Sequence, residues 1–289
     1  MIQRASVQTV VSEKNSFMGS NFRKKIKYAN FSSMIVTGIL LCGSLLGIIG
    51  LQKHEITQQR QQKSAEGHQQ IEDSEKRSLQ WFSQFPTFGL QNLTADWIYL
   101  NFIQYFGDTT LREKLGYSLC PSYFKTLVNR DPRFVNALIM LDVCTALFAG
   151  EPLQSLQELQ LSTETLKPRM EAVTIRPYYV WQAIGINQLL FQGKSLQAKQ
   201  SYEKAVSWAK DYHDPESRRF IANMQKSITY LAENPNSKMA QIGGWFNILN
   251  NNPDKRTLDR VIKEIELLGG KVKINSQGQF SVELPQGTD

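Results

Sequence analysis

Between Phe31 and Leu51 the chain reads FSSMIVTGILLCGSLLGIIGL, twenty-one residues without one charged side chain. As an α-helix rising 1.5 Å per residue, this run is about 32 Å long, close to the hydrocarbon thickness of a bilayer. A cleaved leader has a shorter apolar core followed by a small-x-small site, and none follows Leu51. A lipid-modified Cys42 wants Gly or Ala before it, but Leu41 stands there and the apolar run continues. The segment is therefore expected to be a retained transmembrane helix in contact with lipid. Gly43 and Gly47 form one GxxxG, the spacing that lets two membrane helices approach closely, which leaves a homodimer through this helix open.

Charge predicts the sidedness. Residues 1–30 hold six basic side chains (Arg4, Lys14, Arg23, Lys24, Lys25 and Lys27) against one acid, Glu13. The rest of the chain carries 27 basic and 25 acidic residues, so most of the net +7 sits beside the apolar run. A nucleic-acid binder carries its excess on the folded domain, and this chain does not. The positive-inside rule makes 1–30 a cytoplasmic tail and places the large C-terminal part outside the cytoplasm. On the other flank Lys53, Arg60 and Lys63 are sparser and mixed with Glu55 and Glu66.

Residues 52–80 are polar, free of Pro and rich in Gln, Lys and Glu, which predicts a helical stalk. At Trp81 the character changes: Trp81, Phe82, Phe85 and Phe88 surround Pro86 and Gly89, an aromatic cluster suited to capping the first helix pair or to lying at the lipid interface. Residues 81–270 then read as helices with apolar residues at spacings of three and four, predicted at Ala95–Phe106, Ser122–Asn129, Phe134–Phe148, Leu153–Leu166, Tyr178–Phe191, Leu196–Ala209, Glu216–Leu231, Ser237–Leu249 and Lys255–Leu268. Glycines (107, 150, 193) and Xaa-Pro pairs (131–132, 214–215, 234–235, 252–253) punctuate them, as helix stops and starts require. Residues 271–289 depart from this pattern: 271–275 and 279–284 alternate about a turn, which predicts a small β-hairpin packed on the last helix. The expected fold is all-α, an α-solenoid of helix hairpins with a period near 34–36 residues.

Chemistry is sparse. Cys120 and Cys144 form no metal-ligand spacing; they would pair in an extracytoplasmic domain, though two thiols on apolar helix faces are more commonly just buried. His54, His68 and His213 stand apart from one another and from convergent carboxylates. Gly243-Gly244 lacks the further glycines and the Lys of a phosphate loop and reads as a helix irregularity. Glu264 and Glu266, two apart on a helix, do not face each other. No catalytic constellation, metal site or cofactor motif is expected.

The spacing of Gly193, Ala198, Tyr202 and Ala205 resembles the second half of a tetratricopeptide repeat, and Trp181 and Gly185 resemble its first-helix signature, with Gly185 one residue farther from Ala198 than the pattern wants. Trp97 and Leu100 resemble the opening of an earlier repeat that closes at Pro132, with about seven residues inserted between its helices. A repeat from Pro132 to Pro168 keeps Leu141 but has Asp142 where the small residue belongs. The resemblance covers roughly residues 93–210 and makes the hairpins degenerate repeats of that family. The run PTFGLQNLTADWIYLNFIQYFGD is similar to membrane-anchored repeat proteins of cyanobacteria, which implies a periplasmic or thylakoid-lumenal domain. Such proteins hold peptides or protein partners on the concave face, where the family geometry points Tyr179, Gln182 and Asn187, unless Tyr179 packs on a neighbouring helix instead. The implied function is a membrane-tethered scaffold or assembly factor for protein partners, a membrane protein or complex above all. The alternative is a stable structural subunit of a larger membrane complex.

Overall fold

The structure, a computed structural model, describes residues 43–44, 65–84, 86–171, 173–235, 238–251, 253–276 and 278–284. The chain divides into two units, Met1–Gly67 and His68–Asp289. The expected transmembrane helix at 31–51 lies outside the described residues except for Gly43 and Ser44, which are helical; Gly47 lies outside them too. Among the described residues no helix is long and apolar enough to cross a membrane.

The described chain is mostly helical with one small antiparallel sheet. In order, the elements are α1 (Ala65–Gln84), α2 (Gln91–Gly107), α3 (Thr109–Leu115), α4 (Cys120–Val128), α5 (Val135–Asp142), a π-helical segment (Val143–Phe148), α6 (Pro152–Thr163), α7 (Tyr178–Leu190), α8 (Ser195–Ala209), α9 (Pro215–Glu233), α10 (Lys238–Leu249), α11 (Lys255–Leu267), β1 (Lys271–Ile274) and β2 (Phe280–Glu283). Gly150 and Gly193 end their helices at φ +81° and +64°, values that glycine adopts without a Cβ penalty. Asp214 and Asp254 cap α9 and α11 by accepting from Ser217 N and from Arg256 and Thr257 N.

Three features differ from expectation. Thr109–Leu115 is helical, a short element capped by Asp108 inside what reads as an insertion. The helix predicted through Phe148 changes at Val143 into a π turn, with Ala149 N donating to Cys144 O. Gly243 and Gly244 cause no break; they lie within α10, and a Cβ on Gly244 would come within 2.9 Å of Leu190 Cδ1, so the glycine permits close approach of α10 to α7.

Neighbouring helices pack in sequence: α4 on α5, α5 on α7, α6 on α7, α7 on α8, α8 on α9 and α10 on α11. The main core joins α2, α4, α5, α6, α7 and α8 through Phe102, Tyr123, Phe124, Leu138, Leu141, Leu159, Ile184 and Trp208. A second cluster centres on Trp245, with Ile242, Leu249, Val261 and Ile265, and Val272, Phe280 and Val282 of the hairpin lie against it. The hairpin registers Val272 with Val282 and Ile274 with Phe280, and Lys273 pairs with Glu283 across it.

The polar segment before residue 81 is helical from residue 65, and its second half is docked on the domain. Leu79 is buried, Tyr123 Oη donates to Glu75 Oε1 at 2.8 Å, Ser118 Oγ donates to Glu72, and Arg130 Nη2 donates to Phe82 O at 2.5 Å. The helical unit thus reaches back beyond the expected boundary at residue 81. Of the aromatic cluster, Phe82 is half-buried against the core, Trp81 and Phe88 are exposed, and Phe85 lies outside the described residues.

Cys120 of α4 and Cys144 of the π-helical segment form a disulfide with a Cα–Cα distance of 5.7 Å. Both are buried, as expected, but joined rather than held as two thiols. In the chain-entropy view, closing a loop across a sequence separation of 24 stabilises the fold by about 3.5 kcal/mol.

Candidate functional site

At 100° per residue, α2 carries Ala95, Ile98, Phe102 and Tyr105 on one face, and all four are buried. On the opposite side Leu93, Trp97 and Leu100 follow one another at four and three residues, with Ile103 on their flank. They are exposed by 63, 54, 56 and 40%. Asp96 is the only charged residue on the helix. A helix apolar on both sides has one side too many for a single core. Contiguous exposed apolar surface of this kind marks interaction sites on soluble domains.

The buried face is held firmly. Phe102 meets the Tyr123 ring edge-on at 5.7 Å, and Tyr105 lies 5.4 Å from the same ring. Arg112 of α3 is buried with its guanidinium carbon 3.7 Å from the centre of the Tyr105 ring, and its Nη1 donates to Gly116 O at 2.6 Å. Leu119 N donates to Tyr105 Oη at 3.1 Å, which fixes the turn into α4. Burial pushes the Tyr105 phenol up to about 12, and it pushes Tyr123 still higher, with the neighbouring Glu75 carboxylate adding to the effect. Both rings therefore stay neutral and act as fixed supports. The exposed stripe sits on a rigid base.

This outcome changes the role expected of two repeat-fold positions. Trp97 and Leu100 do not fill the space inside a first hairpin; Ile98 and Phe102 do. The signal is present in ADWIYLNFIQYF, whose apolar residues encircle the helix, so that Leu93 and Ile103 join the exposed side.

The other repeat-fold positions are placed as follows. Pro132 stands in the turn between α4 and α5, Pro168 in the loop after α6, and Leu141 in the main core. Gly185 faces Tyr202 so closely that a Cβ would overlap the ring, while Ala198 and Ala205 are fully buried along α8. Trp181 is half-buried, edge-on to Trp208 at 5.8 Å. Asp142, at the position wanted by a small residue, is buried and accepts from Ser155 Oγ at 2.6 Å. Its carboxyl is pushed up to about 7 by burial, against the lowering effect of hydrogen bonds from Ser155 and Asn187.

The three residues expected in a partner groove do not form one. Tyr179 packs on α9: its hydroxyl donates to Glu216 Oε1 at 2.8 Å and its ring lies 5.2 Å from Phe220. Asn187 is 1% exposed, donates to Pro152 O at 3.0 Å and accepts from Gln192 Nε2, so its amide braces the start of α6 and presents nothing to a partner. Gln182 is half-buried. Among the described residues no group of three or more His, Cys, Asp or Glu is placed to hold a metal ion. No family model, curated protein or solved structure matches this chain.

Proposed function

We propose that the protein is a membrane-tethered helical-repeat scaffold or assembly factor that holds a membrane-protein partner against α2. The exposed stripe Leu93–Trp97–Leu100 carries this reading, because it is large, apolar, rigidly backed and not used by the domain's own core. Two further features support the setting. The uncharged run at 31–51 has the length of a spanning helix. The Cys120–Cys144 disulfide belongs to an oxidising compartment, in agreement with the side predicted from the basic tail. The Gly185–Tyr202 approach and the small residues of α8 favour kinship in packing with tetratricopeptide hairpins. A tether raises the local concentration of the stripe at the membrane, so modest affinity suffices.

The test is native-gel separation of the detergent-solubilised protein, with mass spectrometry of what migrates with it, for the parent and for Trp97→Asp combined with Leu100→Asp. A partner that is recovered in traces with the parent and lost with the variant, while thermal unfolding is unchanged, supports the scaffold. Recovery in one large complex at constant stoichiometry makes the protein a structural subunit. Partner recovery unaffected by the double substitution removes the stripe from the account.

A further inference from the structure

Trp181 and Gln188 are seven residues apart on α7 and share one face, on the side of the helix opposite Tyr179. With Gln160 of α6 and Gln197, Ser201 and Lys204 of α8 they line a pocket of about 560 Å³. This pocket is separate from the α2 stripe, and it is also distinct from the face on which a partner groove was expected.

Its polar groups are unbalanced. Gln188 is only 7% exposed, and its Oε1 accepts from Ser201 Oγ at 2.7 Å. That bond orients the amide and leaves Nε2 without an acceptor among the described residues. The indole N–H of Trp181 is shielded from solvent and donates to nothing described. Lys204 lies with Nζ 5.9 Å from the centre of the Trp181 ring and forms no ion pair among the described residues. No acidic side chain lines the pocket. With its oxygen engaged by Ser201, the Gln188 amide has only its N–H donors left to offer a ligand, and an acceptor oxygen suits them. One ammonium beside neutral amide donors matches a group of single negative charge with two acceptor oxygens; a doubly charged phosphate calls for more than one cation or a guanidinium fork.

We propose that this pocket binds a carboxylate, presented by the C-terminus of a peptide or by an Asp or Glu side chain of a protein. Lys204 supplies the charge, Gln188 Nε2 the fixed hydrogen bond, and Trp181 the wall that closes on the ligand. The assignment stands whether or not the α2 stripe docks a partner.

The experiment follows the indole N–H resonances of the full-length, ¹⁵N-labelled protein in detergent micelles, with Trp181→Phe identifying the Trp181 signal. Three probes are titrated: N-acetyl-Ala-Ala with a free carboxylate, the same peptide amidated, and N-acetyl-Ala-Glu-Ala-amide. A saturable shift of the Trp181 signal with a carboxylate-bearing probe, and none with the amidated dipeptide, is the expected result. Which of the two acids acts separates a terminal from a side-chain carboxylate. Lys204→Met, an exposed position that folding does not depend on, weakens the response about tenfold, as loss of one charge-assisted hydrogen bond should. Equal response to acid and amide, no response to any probe at about 10 mM, a response indifferent to Lys204→Met, or tighter binding of inorganic phosphate than of the acids overturns the proposal.

Discussion

Helices α2 and α11 lie far apart in the sequence, and they use their apolar residues in opposite ways. On α11 the residues Leu258, Val261, Ile262 and Ile265 fall at spacings of three and four and all turn inward, so that only Leu267 among its apolar residues is exposed. Lys255, Asp259, Lys263 and Glu266 occupy the solvent side. On α2 the inward face is just as apolar, yet the outward face carries Leu93, Trp97, Leu100 and Ile103. A helix such as α11 is complete once it has docked. One such as α2 has satisfied its fold and still has a surface to cover, and that surplus separates a structural element from a candidate interface.

The comparison is broken most directly by trimming each face of α2. Phe102→Ala, on the buried side, should cost about 3–5 kcal/mol in denaturant unfolding, because a fully buried ring leaves a cavity. Trp97→Ala should stay within about 0.5 kcal/mol of the parent and lower partner recovery instead. Comparable stability losses at both positions would mean that the exposed face is part of the core after all.

Removing the disulfide with Cys120→Ala and Cys144→Ala together should cost about 3.5 kcal/mol by the loop it closes. Hydrogen exchange should then accelerate in α4 and under α2, and leave α11 protected. Uniform acceleration across both would show that the two helices do not belong to separately supported regions.

A third expected effect concerns pH. Asp142 titrates near 7 in the fold against an ordinary value of 3.8, so the folded state holds its proton more tightly than the unfolded chain does. Stability supplied by the protonated form is therefore complete below about pH 4, falls as pH rises toward 7, and is level above that. Asp142→Asn keeps an acceptor for Ser155 and removes the charge. It should raise stability at pH 8 by roughly 2–3 kcal/mol, less than the full shift implies because a buried site relaxes, and it should flatten the curve between pH 4 and 7. A variant whose curve stays parallel to the parent's would place the titration elsewhere.

The smallest effect belongs to α11. Arg260 Nη1 donates to Ala146 O at 3.1 Å and to Leu147 O at 2.7 Å, and burial pulls its guanidinium below the usual arginine value. Arg260→Ala should cost about 1.5–3 kcal/mol in thermal unfolding, since it takes charge-assisted bonds from two carbonyls. An unaltered melting curve would make α11 an appendage held by its apolar face alone.

Much of this architecture was legible in the residues. Gly150 and Gly193 sit where left-handed helix ends are needed and Pro215 in a proline-compatible first turn, so the predicted helices α5 to α11 begin and end close to the observed ones. The hairpin was legible because Val272, Ile274, Phe280 and Val282 alternate. What was not legible depended on distance between segments. The Cys120–Cys144 pair requires two helix faces to meet at 5.7 Å, which no spacing of 24 residues specifies. Asn187 is grouped with Tyr179 and Gln182 by the repeat geometry alone, and only the fold brings Pro152 O beside its amide. The seven-residue α3 gives too short a pattern to read, and it proves to carry Arg112, which braces the base of α2. Which side of α2 faces solvent was undetermined because both sides are apolar.

The π-helical segment acquires a significance here that its six residues do not suggest. A π turn holds one residue more than an α turn, and because the segment ends at Phe148 its last carbonyls have no helical partner and are open to outside donors. At this place Cys144 reaches sideways to α4, on which α2 rests, while the carbonyls of Ala146 and Leu147 receive Arg260 from α11. The segment is thus a keystone inserted as a single extra residue. Restoring an ordinary helical reading frame at this point would shift the Cys144 and Arg260 attachments together, though neither α2 nor α11 had been altered.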